Sequence, residues 1–461
     1  MPDAHGAPDP DGLRGEPSDI VGIGFGPSNL ALSIAVEEHN QVGGPLLNAE
    51  FLERQNRFGW HRGMLLDDAT MQVSFLKDLV TMRNPGSEYT FLTYLHERGR
   101  LAEFINHKVL FPLRIEFHDY LEWAAARLAH TVTYGLRVVG VEPVYARDLD
   151  GDDPGTDPDT LVAFDVVGEA PGGTRRVTRR ARNVAVAVGL APKLPPAATL
   201  GPRVWHNLDL LSRVATVSRD PEPRRFVVVG AGQSAAEAVA YLHQQFPHAE
   251  VCSVFSRYGY APSDDTPFAN RIFDPDAVDV YFDADDDVKR MLFDYHRNTN
   301  YSVVDAELIE ELYRREYRER VEGVRRLRMM KASQVVAVDE SSDHVRVAVR
   351  SLPSGHVETL DADALVYATG YRPVDPMSLL GRAGDLVERR PDGAPAVRRD
   401  YSLELKVPSH AGIYVQGGTE HSHGISSSLL SNVAVRTGEI VESIASRRQV
   451  PAMRSVVSAA T

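Results

Sequence analysis

Two pairs of glycines, Gly22 with Gly24 and Gly230 with Gly232, stand where a run of β-branched residues gives way to an amphipathic stretch. The segments are DIVGIGFGPSNLALSIAVEEHN (19–40) and RRFVVVGAGQSAAEAVAYLHQQFP (224–247). In each, the first glycine permits a tight turn and the second lets the backbone approach a pyrophosphate, which then rests on the positive end of a helix. The third glycine of the usual fingerprint is replaced by Pro27 in the first segment and Ala235 in the second. Proline is tolerated in a first helical turn, where its missing N–H has no partner, and alanine is small enough for helix–strand packing. Gly26 belongs to the first turn, and Gln233 and Ser234 open the second helix.

A residue at the end of the next strand then selects the ribose. After the first turn comes AEFLERQ, whose Glu53 offers acceptors to a ribose diol once a loop near 40–47 is absorbed. After the second comes EVCSVFSRYGY, where Arg257 takes the acidic position. Arginine there suits a 2′-phosphate, so NADPH is favoured over NADH, with a solvated loop charge as the bland alternative. A third feature is the single Lys77 in MQVSFLKDLVTMRNP (71–85), a cation between Phe75-Leu76 and Leu79-Val80. On the stretch alone it reads as a surface residue.

These residues need two strand–turn–helix units to hold them. The expected fold is α/β, with two Rossmann-like dinucleotide-binding domains, the second inserted in the first, and a small helical substrate-binding insertion. ARNVAVAVGLAP (181–192) and DALVYATGYRP (363–373) read as returning strands, the latter marking the chain's return to the first domain. The expected boundaries are a disordered N-terminus to residue 18, an FAD-binding domain over 19–210 completed by 361–461, and an NADPH-binding domain over 211–360. Residues 264–325, charged and helical in period, form the insertion over the cleft. DLDGDDPGTDPD (148–159) reads as a surface loop.

Bulk properties narrow the function. A formal net charge of −14 argues against a general nucleic-acid binder, which needs a basic stripe. No apolar run approaches a membrane span, and the polar N-terminus lacks a signal peptide's apolar core, so the expected location is cytoplasmic. The lone Cys252 excludes an internal disulfide and the redox-active pair of a dithiol flavoenzyme. A chain with sites for FAD and NADPH passes hydride to the flavin and electrons onward. With no cysteine pair, reaction of reduced flavin with oxygen is favoured over disulfide reduction. The Phe-x-Gly-x-x-x-His pattern of sulfur and ketone oxygenases is not matched. In ATLGPRVWHNLD, Gly201 and His206 are out of register and the phenylalanine is missing.

MQVSFLKDLVTMRNP, HERGRLAEFIN, DDTPFANRIFDP, HRNTNYSVVD, ATGY and HGISSSLLSNVAVRTGEI together resemble the N-hydroxylating flavin monooxygenases. Among these the likeness is to the L-ornithine N5-monooxygenases of siderophore and related peptide biosynthesis, and it runs from about residue 19 to 445. The resemblance implies hydroxylation of a substrate amine through a C4a-hydroperoxyflavin, with NADP⁺ retained, and a homotetramer. Carried over, Lys77 pairs with the substrate carboxylate, Asn270 binds the amino-acid end and Asn300 lies near the side-chain nitrogen. Leu430 and Ser431 close the pocket, and Gln72 lies beside the flavin. Gln72 and Asn300 are the catalytic candidates. Gly22, Gly24, Gly26, Pro27, Glu53, Trp60, His61 and Gln72 form the FAD set. Gly230, Gly232, Gln233, Ser234 and Arg257 form the NADPH set. The chemistry agrees: a zwitterion needs a cation for its carboxylate, and a nucleophilic nitrogen needs neutral surroundings.

Other clusters read as structural. Glu420, His421 and His423 in GTEHSHG fit a loop beside the flavin better than a metal site, so no metal is expected. Ser426 to Ser428 lack a nucleophile elbow. Asp264-Asp265 fit a turn leading into a helix, Tyr295, His296 and Arg297 a solvated face, and Cys252 a buried, inert thiol. The alternatives are the same chemistry on L-lysine or a diamine such as putrescine, and a non-catalytic nucleotide-binding redox sensor.

Overall fold

The strand Ser18–Ile23 is buried at every position after its first, the pattern of a parallel strand covered on both faces. It lies inside a seven-stranded sheet in the computed structural model, which describes residues 16–149, 156–217 and 221–457. Of the expected disordered lead-in to residue 18, residues 1–15 lie outside the described residues, as does the centre of the 148–159 loop, while Ser18 already belongs to the first strand. Spatially the sheet runs Val132–Tyr134, Ala49–Glu53, Ser18–Ile23, Arg176–Val186, Leu161–Glu169, Arg137–Tyr145. The first four strands are parallel and the last two join antiparallel. Gly412–Val415 pairs with the second half of Arg176–Val186 and completes the sheet. One face is covered by the helices Pro27–Val42, Arg114–Arg127 and Val433–Val457, with a cluster of rings that includes Phe91, Phe117 and Tyr120.

A second sheet, all parallel, runs Leu327–Met330, Glu250–Val254, Arg225–Val229, Ala364–Tyr367, Val204–His206. The helices Gln233–Gln245 and Ala306–Glu322 pack on one face. The three-stranded antiparallel sheet Ser333–Glu340, Val345–Ser351, Val357–Ala362 packs on the other, around Cys252 and Val254.

Two expectations are corrected here. Ala364–Tyr367 does not return to the first sheet but pairs with Arg225–Val229, and Val204–His206 also lies in the second sheet, ahead of residue 210. A β-branched run specifies a strand; its partner is chosen by long-range burial. The chain crosses between sheets at Leu190–Pro192 and Tyr371–Pro373, which pair antiparallel, and rejoins the first sheet at Gly412–Val415. In addition, Ala306–Glu322 is the crossover helix between Glu250–Val254 and Leu327–Met330, its Leu308, Ile309 and Leu312 packed into the second core. Residues 264–325 therefore join an irregular helical segment to a regular element of the sheet.

Candidate active site

The first glycine turn is closed by contacts that only glycine allows. Gly24 has φ +86°, and a Cβ there would lie 2.5 Å from the Ala187 carbonyl oxygen; one on Gly22 would overlap the Phe51 ring. Gly26 caps the helix Pro27–Val42 in extended conformation, with Pro27 in the first turn. Asn29, wholly buried, ties the turn down by donating to the Gly24 carbonyl at 2.7 Å and accepting from Gln416 at 2.8 Å. Glu53 ends its strand with Oε2 accepting from the Phe25 amide at 2.7 Å and Oε1 from Gln55 at 2.8 Å. Each oxygen keeps a lone pair for a further donor. Trp60 and His61 follow on the next loop, rings edge to face at 4.7 Å, and His61 meets Tyr371 at 5.8 Å. Burial, then the Arg114 charge, pushes His61 down to about 4, so its ring is neutral.

Across this cradle runs the segment 416–432, where GTEHSHG folds as the short helix Glu420–His423 and not as the expected loop. Gln416 Oε1, Thr419 Oγ1, Ser428 Oγ, Ser431 Oγ and Asn432 Oδ1 are buried without a partner. So many orphaned polar atoms on one segment need an explanation. Together with a turn that excludes any Cβ, they fit a bound FAD. Arg436, on the following helix, is wholly buried and donates to the Ser427 carbonyl and, at 3.2 Å, to Ser28 beside the cradle. His423 stacks on Tyr401 at 4.2 Å and contacts the Arg399 carbonyl at 3.1 Å.

The second turn repeats the design. A Cβ on Gly230 would overlap the Ala368 carbonyl, and one on Gly232 would touch Ser302 Cα at 3.4 Å. Gln233 and Ser234 begin the helix Gln233–Gln245. Arg257, exposed after the second strand, donates to the Ser302 carbonyl at 2.8 Å, which brings its guanidinium to the mouth of the Gly232 turn. A Cβ-free cradle with a cation at its rim fits a phosphorylated nucleotide.

Lys77 owes its place to its neighbours. Phe75 packs on Phe104 and Phe91 at 5.1 and 5.8 Å, and Asp78 is buried with its carboxylate accepting from the Val80, Thr81 and Phe91 amides at 2.7–2.9 Å. Between these anchors Lys77 points its Nζ over the Phe273 ring, 5.7 Å from its centroid. Among the described residues no carboxylate lies within ion-pair distance of Nζ. Burial lowers its pKa, with Asp274 partly opposing. Phe273 shares the turn Ala269–Phe273 with Asn270, and that turn packs on Ile425–Ser428. Asn300 is exposed and bonds the Tyr301 hydroxyl, which in turn donates to the half-buried Glu420, whose pKa is raised by its partial burial. Leu430 packs on the first core, and Ser431 is buried beside it.

The remaining polar groups are structural. Asp264 accepts from Thr266 Oγ1 at 2.8 Å and its amide at 3.2 Å, shaping a turn. Cys252 is wholly buried and its thiol is pushed up to about 12 by burial. Tyr295 is exposed.

A contact set that sequence reasoning missed joins the two nucleotide turns. Gln72 Nε2 donates to Asp305 Oδ2 at 2.6 Å, and Gln233 Nε2 donates to the same oxygen at 3.1 Å. Gln233 Oε1 accepts from the Asp305 amide at 2.8 Å, and its Nε2 also reaches Glu237 at 3.0 Å. Glu237 takes a bidentate bond from Arg114 at 2.7 and 2.8 Å; Arg114 also holds the Met64 and Thr70 carbonyls at 3.0 and 3.2 Å. Asp305 sits in the quoted motif NYSVVD, but no spacing rule marks its partners.

Residues 16–373 match the family described as L-lysine 6-monooxygenase/L-ornithine 5-monooxygenase. The L-ornithine N(5)-monooxygenase of Burkholderia cepacia is 44% identical over 412 residues, covering 88% of this chain and 89% of that protein. A structure of the Kutzneria sp. 744 ornithine N-hydroxylase with reduced FAD, NADP⁺ and L-ornithine superposes with TM-score 0.87 at 45% identity, covering 94% of this chain and all of that one. The ornithine hydroxylase of Pseudomonas aeruginosa gives TM-score 0.84 at 33% identity, covering 93% and 99%.

Proposed function

Because the chain belongs to the L-lysine 6-monooxygenase/L-ornithine 5-monooxygenase family, we propose that it hydroxylates the side-chain amine of L-ornithine, using FAD, NADPH and dioxygen. The observation that carries the substrate is Lys77: a half-buried ammonium with no carboxylate at ion-pair distance among the described residues, Asp274 acting on it only from further off, and aimed at the turn that bears Asn270. A lone cation in an apolar setting is stabilised by a ligand anion, and an amino acid supplies one.

FAD would be held by Gly22, Gly24, Gly26 and Pro27 at the first turn, with Glu53, Trp60, His61 and Gln72 completing the set. NADPH is held by Gly230, Gly232, Gln233, Ser234 and Arg257. Bound at the first turn, FAD would supply the redox chemistry by which NADPH and dioxygen convert the amine to a hydroxylamine and water. Lys77 fixes the substrate carboxylate, and Asn270 accepts from its α-ammonium. Asn300 offers the side-chain nitrogen a neutral partner, which leaves its lone pair available. Glu420, capped by the Tyr301 hydroxyl, is kept from stabilising an ammonium there. Leu430 and Ser431 close the site against water. A cytoplasmic location, supported by the single buried thiol, and a homotetramer complete the reading. Among the described residues no helix is long and apolar enough to cross a membrane.

The test is consumption of NADPH and oxygen with ornithine, lysine or putrescine, and assay of the hydroxylamine formed. Ornithine should give the highest kcat/KM. Higher turnover of lysine or putrescine would overturn the substrate, and no NADPH turnover with any amine would leave the redox-sensor reading.

A further inference from the structure

Asp305 immediately precedes the helix Ala306–Glu322, a position where aspartate usually accepts from the first-turn amides. Here it makes no such bond. Its carboxylate instead receives Gln72 from the first unit and Gln233 from the second, at 2.6 and 3.1 Å. An ionised carboxylate only accepts, so both glutamines must turn their NH₂ groups toward it. The carbonyl oxygen of Gln72 is thereby left to accept from another donor. Gln233 is fully engaged: NH₂ to Asp305 and Glu237, carbonyl to the Asp305 amide. Both glutamines therefore have their amide faces set by one group.

We propose that Asp305 is a positioning residue that fixes the amide orientation of Gln72 beside the flavin and of Gln233 at the NADPH turn, and so couples occupancy of the two nucleotide sites. The inference rests on the assignment of Gln72 and Gln233 to those sites. Arg114 and Glu237 support the geometry from behind: Arg114 grips the Thr70 carbonyl, two residues from Gln72, and Glu237 grips Gln233. The contacts form a ring, Gln72–Asp305–Gln233–Glu237–Arg114–Thr70, that crosses between the units twice. A shift of Gln233 on nucleotide binding is transmitted through Asp305 to Gln72.

The experiment compares the flavin-loaded wild type, Asp305→Ala, Gln72→Ala and the double variant by calorimetric titration with NADP⁺ and by hydroxylated product formed per NADPH oxidised. Asp305→Ala should weaken NADP⁺ binding by about 10-fold and lower the product yield, while FAD content is retained. In the double variant the two yield losses should combine to less than their sum, because the part that runs through Gln72 is already spent, while NADP⁺ binding stays as weak as in Asp305→Ala, where Gln233 is released. If Asp305→Ala folds poorly, Asp305→Asn replaces it. Asparagine donates as well as accepts and lets Gln72 flip, so it should give the same loss in smaller measure. Unchanged NADP⁺ affinity and yield, or losses that add in the double variant, would reduce Asp305 to a helix-start residue. A wild type that forms no hydroxyornithine would sink the proposed activity, while the calorimetric arm would still decide the role of Asp305.

Discussion

At Lys77, chemistry and packing give one answer. The residue is flanked by a ring anchor at Phe75 and a buried carboxylate at Asp78, so the lysine is carried on a rigid loop. Lys77→Ala should raise the KM for ornithine about 10- to 100-fold, the worth of a charge-assisted contact, and leave the rate of flavin reduction by NADPH largely intact. Rapid-mixing kinetics would separate the two; unchanged KM would remove Lys77 from the substrate site. Because burial holds its ammonium below the usual lysine range, the contact is lost as pH rises through the lowered value. The KM of the wild type should therefore climb at lower pH than that of Lys77→Arg, whose guanidinium stays charged. Ornithine's own titration is common to both. The oddness of this lysine is visible in the sequence, but its partner Phe273 is almost two hundred positions away, and no local pattern links them.

At the scale of elements, the two turns make separable predictions. In Gly24→Ala the new Cβ meets the Ala187 carbonyl and the backbone keeps a positive φ, a change costing about 1–3 kcal/mol from overpacking alone. The purified protein should be colourless or nearly so by flavin absorbance. Gly230→Ala, which meets Ala368 in the second unit, should stay yellow and fail to be reduced by NADPH. If both variants lose flavin, or neither does, the two turns are not independent nucleotide sites. Both turns are legible because the Gly-x-Gly pattern itself marks where no Cβ is allowed, although the groups that exclude it, Ala187 and Ala368, lie far along the chain. The partners of Ala364–Tyr367, and the role of Ala306–Glu322 as a crossover helix, are not. A buried strand carries the same β-branched signature in either sheet, and a charged helix with one apolar stripe reads alike in an insertion and on a sheet.

At the scale of the whole molecule, the Arg114–Glu237 pair ties one unit to the other, with the two side chains only 11% and 5% exposed. Glu237→Ala leaves a buried guanidinium uncompensated, at about 3–5 kcal/mol. Thermal melting should show a marked loss, much smaller in Glu237→Gln, which keeps one acceptor. Equal melting of both variants would show that the charge is irrelevant. The sequence could not disclose this tie, since arginine and glutamate pairs are countless until the fold selects one. The paired strands Leu190–Pro192 and Tyr371–Pro373 have a different consequence. Beside them the Lys193 amide donates to the Gly370 carbonyl at 3.0 Å, so the stretch 193–370 leaves and re-enters the first unit at neighbouring atoms. Its ends are already together, and closing it as a separate chain adds almost no loop entropy. The stretch is thus a cassette: if it holds NADPH as proposed, coenzyme preference is exchanged by transplanting it whole, provided the graft presents a glutamate to Arg114, an aspartate to Gln72 and the Asn270, Phe273 and Asn300 groups to the Lys77 side.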